Sequence, residues 1–515
     1  MKKYYFNTVW PIIVLLCLSC VLLIPLFKPG LIVTDDGDWM VIRLTAFYQA
    51  FADGQFPVRF LSRLNNNYGY PVANFLYPGF LYIGSFLRIL KLPYTVIIES
   101  ILGGSVIMSG VFLFLWLKKF FSGFPSFIGA CSLLVSPYFL YDLYKRGSVG
   151  ELLATAGVIV LLWCIESGFV WLITPVTALL LVSHNTLAFL FSLFLVGYVI
   201  VRRKFNSILP LAIGVLITSF FWIPAIFERS FVRFDTVQVA NPFDYMPISQ
   251  TLLLMSLPFF VPLFLFFRKK KDRFDKEFLF FSVIVVLCAA GSSMIGMVFW
   301  KVSLFVHVIQ FPYRLLSLVF IAGPWLLTFF ITQIRNKNKI WIGFTLLVIL
   351  FIAHISLLFS SRSIVREEGF YITNEGTTTV QDEYMPRWVK NKPDIRANEK
   401  LVLFSGKGTV GSLMSSTKRF DAALKLEEES ILQFNTVFYP GWGAMLDGKP
   451  VELSYQNSKG VMQVVVPKGD HKISFEFRET GFRYVADILS SVGVILYGVY
   501  MLFFLTKRVR KKSRL

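Results

Sequence analysis

Apolar runs of about 20 residues recur along most of the 515-residue chain, and they constrain the fold more than any other feature. Each run is long enough to cross the hydrocarbon core of a bilayer as one α-helix. The candidate spans are residues 9–28, 93–117, 123–144, 148–166, 168–183, 186–201, 207–227, 250–267, 278–299, 313–333, 340–360 and 484–506. We therefore predict a polytopic α-helical membrane protein with about 12 transmembrane helices. A shorter apolar run, residues 74–90, is interpreted as an interfacial or re-entrant helix.

Basic residues set the predicted orientation. The chain carries a formal net charge of +20, which in a soluble domain would favour nucleic acid as a partner. Here the basic clusters abut apolar runs, at Lys2–Lys3, Lys118–Lys119, Arg202, Arg268, Arg335 and Lys507. The positive-inside rule places such clusters in the cytoplasm. We therefore expect a multi-pass protein of the cell membrane, with both termini cytoplasmic and no nucleic-acid partner.

Two long polar segments fall on the outer side in this orientation. The first outer loop covers residues 29–92, and the second outer segment covers residues 361–483. From Ile431 onward the second segment alternates apolar and polar residues between glycine-containing turns, which predicts a small antiparallel β domain. The predicted organisation is a transmembrane domain (1–360), an extracytoplasmic β-rich domain (361–483), and a final helix with a basic tail (484–515).

The stretch "LIVTDDGDWMVIRLTAFYQAF" places Asp35, Asp36 and Asp38 where the chain leaves the first span. Asp36 or Asp38 could cap the helix that follows. Three acids are more than a cap needs, and a carboxylate at the outer surface could also serve as a general base. We take Asp36 as the first candidate for this base, with Asp35 and Asp38 close behind.

Further polar residues are predicted at the outer ends of the spans. Arg59 and Arg63 could grip a lipid phosphate, although their segment is also typical of an aromatic belt that anchors a surface loop. Arg146 and Glu151 could simply pair with each other, and His184 could be a hydrogen-bonded spacer. The candidate ligand-binding residues are Arg43, Arg59, Arg63, Tyr70, Arg146, Glu151, His184, Asn185, Glu228, Gln310 and Arg314. Together they predict one outward-facing, arginine-rich polar cavity for an anionic ligand.

The series "NNNYGYPVANFLYP", "YDLYKRGSVGE", "SHNT", "FFWIPAIFE", "QFPYR" and "FYPGWGAMLDGKPV" resembles the bacterial membrane proteins labelled "6-pyruvoyl-tetrahydropterin synthase-related". More distantly, the chain is similar to the YfhO-type membrane glycosyltransferases. Both families look like GT-C glycosyltransferases. The resemblance implies a GT-C-like fold, an acidic base in the first outer loop and a polyprenyl-phosphate sugar as donor. Pterin synthase chemistry is not expected, because it needs clustered histidines on zinc and this chain has four scattered ones.

These observations predict an inverting membrane glycosyltransferase that moves a sugar from a polyprenyl-phosphate donor to a cell-surface glycan or lipid. The alternatives are a transporter or flippase for a lipid-linked glycan and a structural membrane protein. In the resembling families a histidine often stands near the aspartate and again three residues before the arginine that matches Arg43. Here Asp35 and Met40 hold those positions. No cofactor is required by the sequence, and a divalent metal is left open.

Overall fold

The computed structural model describes residues 8–237, 241–265, 275–334, 336–352 and 361–512. Within these ranges six helical segments are long and apolar enough to cross a membrane: 94–117, 123–146, 149–167, 185–202, 312–333 and 481–506. Three pairs of helices, bent by 56–76° at a short break, would each add one span: 205–217 with 219–231, 242–255 with 257–263, and 276–291 with 294–301.

The helices are numbered in chain order. They are α1 (Trp10–Leu22), α2 (Gly37–Ala52), α3 (Gly79–Ile89), α4 (Tyr94–Leu117), α5 (Gly123–Leu134), α6 (Pro137–Tyr141), α7 (Val149–Ser167), α8 (Val170–Ser183), α9 (Asn185–Arg202), α10 (Ile208–Ile217), α11 (Ser219–Phe227), α12 (Met246–Met255), α13 (Asp275–Gly291), α14 (Ser303–Val308), α15 (Leu316–Gln333), α16 (Asn336–Ile352), α17 (Glu368–Thr373) and α18 (Gly481–Lys512). Helix α7 is buried along nearly its whole length, which places it inside the bundle.

The predicted spans coincide with these elements as far as the described residues reach. The six long segments and three bent pairs account for most of them, and the shorter apolar helices α1, α8 and α16 lie at the others. Helix α3 occupies the short apolar run 74–90, and its 11 residues rise only about 16 Å, less than the thickness of a bilayer core. The basic clusters at Lys2, Arg268 and Arg335, and the ends of two predicted spans, residues 266–267 and 353–360, lie outside the described residues.

A β-rich region lies between α17 and α18, as predicted, although its strands begin about 30 residues before Ile431. The strands are β3 (Leu401–Ser405), β4 (Gly408–Ser415), β5 (Arg419–Leu426), β6 (Ser430–Val437), β7 (Trp442–Leu446), β8 (Lys449–Val451), β9 (Val461–Val466) and β10 (Gly469–Phe477). They form two antiparallel sheets, with orders β4-β5-β10-β7-β8 and β3-β6-β9. The sheets pack through aromatic side chains, and the rings of Phe434 and Phe475 stack with centroids 4.4 Å apart.

The first outer loop and the second outer segment are joined by backbone pairing. A short strand β1 (Leu31–Ile32) pairs with β2 (Ser363–Ile364). Three consecutive residues, Asn65–Asn67, all adopt positive φ, a region that asparagine tolerates better than most residues. The side chains of Asn66 and Asn67 donate to the backbone carbonyl oxygens of Pro393 and Ala397. This motif therefore docks the second outer segment onto the first.

Candidate active site

The loop before α2 places Asp36 against the turn that contains Arg146. The backbone amide of Asp36 donates to the carbonyl oxygen of Arg146 at 3.0 Å, so the two segments are fixed to each other. Asp36 occupies the N-cap position of α2, but its side chain accepts no capping hydrogen bond. Its Oδ2 lies 3.3 Å from Nη2 of Arg146. The capping interpretation is therefore wrong for Asp36, whose carboxylate faces a cation from another segment.

Arg146 ends a π-helical turn, Asp142–Arg146. Such turns are rare and often occur at functional sites. The guanidinium group donates to the hydroxyl of Tyr313 and lies over the ring of Phe311, 5.1 Å from its centroid. These contacts fix the orientation of the guanidinium group beside Asp36 and leave only 10% of the side chain exposed.

Glu151, in the first turn of α7, is fully buried and connects Arg146 to the rest of the site. Its Oε1 lies 3.0 Å from Nε of Arg314, 3.5 Å from Nε2 of His184 and 3.6 Å from Nη2 of Arg146. Its Oε2 accepts a 2.8 Å hydrogen bond from the hydroxyl of Tyr138. A buried carboxylate needs cations and hydrogen bonds to offset its lost hydration, and Glu151 has both.

His184 caps helix α9. Its Nδ1 accepts a hydrogen bond from the backbone amide of Leu187 at 3.2 Å. In the neutral ring the hydrogen must then be on Nε2, the atom that faces Glu151. Asn185 is turned away from this site, because its side-chain amide donates to the carbonyl oxygen of Phe75 at 2.8 Å.

Arg314 is held from several directions. Besides its contact with Glu151, its guanidinium group donates to Oε1 of Gln310 at 2.8 Å and to the carbonyl oxygen of Ile309 at 3.1 Å. Only 6% of the Arg314 side chain is exposed. Arg314 therefore holds Glu151 in place and does not reach outward.

The outer cluster is defined here as Asp36, Arg146, Glu151, His184 and Arg314. The sequence predicted an arginine-rich site. In the outer cluster, however, each of the two guanidinium groups has a carboxylate partner, so these five residues carry no excess of arginine over acid. Asp36 is the most exposed of the five, with 22% of its side chain accessible. The outer cluster is therefore a buried chain of ion pairs that ends in one accessible carboxylate.

The other two aspartates of the acidic motif point elsewhere. Asp35 pairs with Lys145 at 2.8 Å, and both side chains are exposed. Asp38 pairs with Arg366 at 3.1 Å and accepts a hydrogen bond from the hydroxyl of Tyr371 at 3.2 Å. Because each carboxylate of the motif has its own cation, the repulsion expected among three neighbouring acids is relieved.

Arg59 and Arg63 lie outside the outer cluster, and their side chains are engaged in other contacts. Arg59 is buried and forms ion pairs with Glu479 at 3.0 Å and with Asp487 at 2.8 Å, near the start of α18. Arg63 donates to the backbone carbonyl oxygen of Ile372 in the second outer segment, and to Oγ1 of Thr45 at 2.6 Å. Both arginines therefore join the first outer loop to neighbouring elements, which contrasts with the phosphate-binding role expected of them.

Arg43 and Tyr70 contact the second outer segment. Nε of Arg43 donates to Oγ1 of Thr378 at 3.3 Å, and the hydroxyl of Tyr70 lies 2.9 Å from Oγ1 of Thr379. Both side chains are buried. They therefore pack the two outer segments together.

Glu228 belongs to a separate buried group. It accepts two hydrogen bonds from Arg483, at 2.8 and 2.9 Å, and one each from Asn74 and Tyr439, at 2.7 Å. Because Arg483 lies on α18 and Tyr439 lies in the β-rich region, this group fixes both to the helical bundle.

Three further residues belong to the site and were not among the sequence-based candidates. Tyr138 and Tyr313 hold Glu151 and Arg146, and the buried carboxyl of Asp142 has an Oδ1 without a hydrogen-bond partner in the described structure. Tyr313 could have been found from its position in "QFPYR". Tyr138 carries no such signal, because tyrosine is common at the ends of apolar spans.

The acidic side chains of the site do not assemble into a metal-binding group. In the described ranges no set of three or more His, Cys, Asp and Glu side chains could hold a metal ion. The acids of the outer cluster are instead neutralised by guanidinium groups.

No protein-family model matches the chain, and no curated protein matches it. Among solved structures, the chain is similar to the arabinofuranosyltransferase AftD from Mycobacteria, with 15% identity and a TM-score of 0.45 over 69% of this chain and 27% of that one. It is also similar to the oligosaccharyltransferase of Archaeoglobus fulgidus in the apo form, with 12% identity and a TM-score of 0.39 over 73% of this chain and 57% of that one. The chain thus spans about a quarter and about half of these two proteins, and likenesses of this size do not define a function.

Proposed function

We propose that this protein is a membrane glycosyltransferase that uses a polyprenyl-phosphate sugar on the outer face of the membrane. The observation that carries the proposal is the placement of Asp36. Its carboxylate is accessible and lies 3.3 Å from an arginine, Arg146, that is itself buried and fixed by Tyr313 and Glu151. A base beside a fixed cation is what transfer from a phosphate-linked donor requires.

In the proposed reaction, Asp36 accepts the proton of an acceptor hydroxyl group. The hydroxyl oxygen attacks the anomeric carbon of the donor sugar, and the bond from that carbon to the phosphate oxygen breaks on the opposite face. The polyprenyl phosphate leaves with the bonding electron pair, and Arg146 stabilises the charge that develops on it. The anomeric configuration is therefore inverted, and Asp36 later releases its proton to water.

The remaining members of the outer cluster act through Arg146. Glu151 lies between Arg146 and Arg314. The hydroxyl of Tyr138 donates to its Oε2, and Nε2 of His184 lies 3.5 Å from its Oε1. We assign these residues to positioning. Arg146 is thus the cation that faces the donor phosphate, in place of the larger set of arginines predicted from the sequence.

The proposed orientation places residues 361–483 outside the cell and both termini in the cytoplasm. Residues 1–360 and 484–515 then form the membrane part, and the β-rich region offers a surface for a glycan acceptor. Helix α9 begins beside the outer cluster and ends at Arg202, so its basic end lies opposite the proposed site, which supports this orientation. A reporter enzyme that is active only in the cytoplasm should be active when it is fused after Lys118 or after Arg202. Activity at either position of a reporter that works only outside the cytoplasm would contradict the orientation.

The function can be tested in cells that lack the protein and carry the wild-type, Asp36→Asn or Asp35→Asn chain. We expect Asp36→Asn to lower transfer by about 10²–10⁴-fold and to remove the product from the surface glycans. Asp35→Asn is the matched control, because the ion pair of Asp35 with Lys145 is exposed and should be dispensable.

A carrier of lipid-linked glycans would give a different result. It should tolerate Asp36→Asn, because transport needs no proton acceptor at this position. Wild-type surface glycans in the Asp36→Asn cells would therefore contradict the glycosyltransferase and favour the carrier.

A further inference from the structure

A groove lies between the C-terminal end of α9 and the N-terminal half of α13, outside the outer cluster. It is an open groove with a volume of about 690 Å³. Its apolar wall includes Ile200, Leu279, Phe280 and Val283, and three of these, Ile200, Leu279 and Val283, are exposed. Helix α9 begins next to His184 and has 18 residues, so this end lies about 27 Å along the helix from the outer cluster.

Two cations, Arg203 and Lys276, line the same groove. Both are exposed, and neither forms an ion pair or a side-chain hydrogen bond with another described residue. The two cations that flank Arg203 in the chain do have ion-pair partners. Arg202 forms an ion pair with Glu166 at 2.8 Å, and Lys204 forms one with the same glutamate at 3.0 Å.

We propose that this groove binds a phospholipid with an anionic headgroup, from the leaflet at the basic ends of the helices. Arg203 and Lys276 would bind the headgroup phosphate through charge-assisted hydrogen bonds. The acyl chain would lie along Leu279, Phe280 and Val283, where it covers apolar surface. Basic pockets between transmembrane helices bind anionic headgroups for this reason.

Charge complementarity favours this occupant over others. The groove combines an apolar wall with two cations that are unpaired among the described residues. A zwitterionic headgroup carries its own cation beside the phosphate and so neutralises only part of this charge, and a neutral lipid without a phosphate offers the two cations no anion. A free phosphate ion would leave the apolar wall uncovered. A lipid with an anionic headgroup satisfies both parts of the groove.

The proposal can be tested with the full chain purified in detergent, by native mass spectrometry with phosphatidylglycerol and with phosphatidylcholine as probes. We expect tighter binding of phosphatidylglycerol to the wild-type protein. The double variant Arg203→Gln/Lys276→Gln should weaken phosphatidylglycerol binding by about 10- to 30-fold and change phosphatidylcholine binding by less than about twofold. The matched control is Lys119→Gln/Lys339→Gln, which removes two cations that do not line the groove and should change neither affinity by more than about twofold.

A second variant tests the apolar half of the site. Val283→Trp fills the groove but keeps both cations, and it should also weaken phosphatidylglycerol binding, whereas millimolar inorganic phosphate should not compete with the lipid. Equal affinity for the two lipids would overturn the proposal. The same loss of phosphatidylglycerol binding in Arg203→Gln/Lys276→Gln and in Lys119→Gln/Lys339→Gln would also overturn it. Wild-type phosphatidylglycerol binding by Val283→Trp, or displacement of the lipid by inorganic phosphate, would overturn it as well.

Discussion

Helix α7 carries one buried glutamate near each end, and the two ends differ in what surrounds that glutamate. At the outer end, Glu151 is bound by Arg314 and Arg146 and lies near His184. At the other end, Glu166 forms ion pairs with Arg202 and Lys204 and accepts a 2.7 Å hydrogen bond from Tyr198.

At the end of α7 that carries Glu166, the ion pairs form one group. Arg202 also forms an ion pair with Glu277, so the group ties α7, α9 and α13 together and buries its carboxylates among its own cations. The outer end continues from Arg146 to Asp36 at the surface. A buried ion pair by itself therefore indicates helix packing, whereas a proposed reaction needs an accessible group held beside it.

Replacement of Glu151 should have the largest effect on stability. Glu151→Ala leaves the Arg314 and Arg146 side chains, which are 6% and 10% exposed, without their buried partner. We expect the free energy of unfolding to fall by about 3–5 kcal/mol. Denaturant titration of the purified protein in mixed micelles measures this, and Glu151→Gln, which keeps a hydrogen-bond acceptor, should cost less. A fall below about 1 kcal/mol would contradict the buried pairing.

Replacement of Glu166 should cost less stability and leave the proposed reaction intact. Arg202 and Lys204 are 22% and 32% exposed, so both can turn toward water when Glu166→Ala removes their partner. We expect a loss of about 2 kcal/mol, below the range for fully buried pairs. Transfer per folded molecule should stay at the wild-type level. Loss of transfer in a stably folded Glu166→Ala protein would break the distinction between the two ends.

Arg146→Lys tests the geometry of the outer end. Lysine keeps the charge but lacks the planar group that contacts Asp36, Glu151 and Tyr313 together. We expect transfer to fall by about tenfold, equivalent to about 1.4 kcal/mol, with a smaller change in stability. Kinetic measurement at saturating donor separates this effect from weaker binding. An unchanged rate would show that the arginine geometry is dispensable.

An exposed pair in the β-rich region gives the smallest effect and a pH-dependent baseline. The hydrogen bond between Nδ1 of His471 and Asp447, at 2.7 Å, raises the pKa of His471 above its ordinary value. Its stabilisation is therefore full below about pH 6.5 and is lost as the pH rises through the raised pKa. The Tm should fall by about 1 °C across that window in the wild type. The fall should be absent in His471→Gln, and an identical fall in the variant would contradict the assignment.

The sequence predicted the polytopic architecture because apolar length and basic ends depend on local composition. It also predicted Asp36 and Arg146 as members of one site, because both follow spans on the same side. The roles of Arg59 and Arg63 could not be predicted in this way. The partners of Arg59, Glu479 and Asp487, lie more than 400 residues away in the chain, and no local pattern reports such a contact.

Strands β3 to β5 were also missed, for a different reason. The sequence "GKGTVGSLMSSTKRF" is rich in glycine and serine, and β4 forms an edge of its sheet with most side chains exposed. Edge strands need little apolar alternation, so the periodic signal used for the later strands is weak there. Strand β4 is instead stabilised by its antiparallel pairing with β5, which no local sequence pattern reports.

The central claim is that Asp36 is the base of the transfer reaction. An assay with the purified protein tests this claim most directly. Lipid-linked sugar extracted from cells that lack the protein serves as donor, and cell envelopes from the same cells serve as acceptor. We predict that wild-type and Asp35→Asn proteins consume the donor and release free polyprenyl phosphate, while Asp36→Asn is slower by at least about 10²-fold. Consumption of the donor by Asp36→Asn at the wild-type rate would contradict the claim.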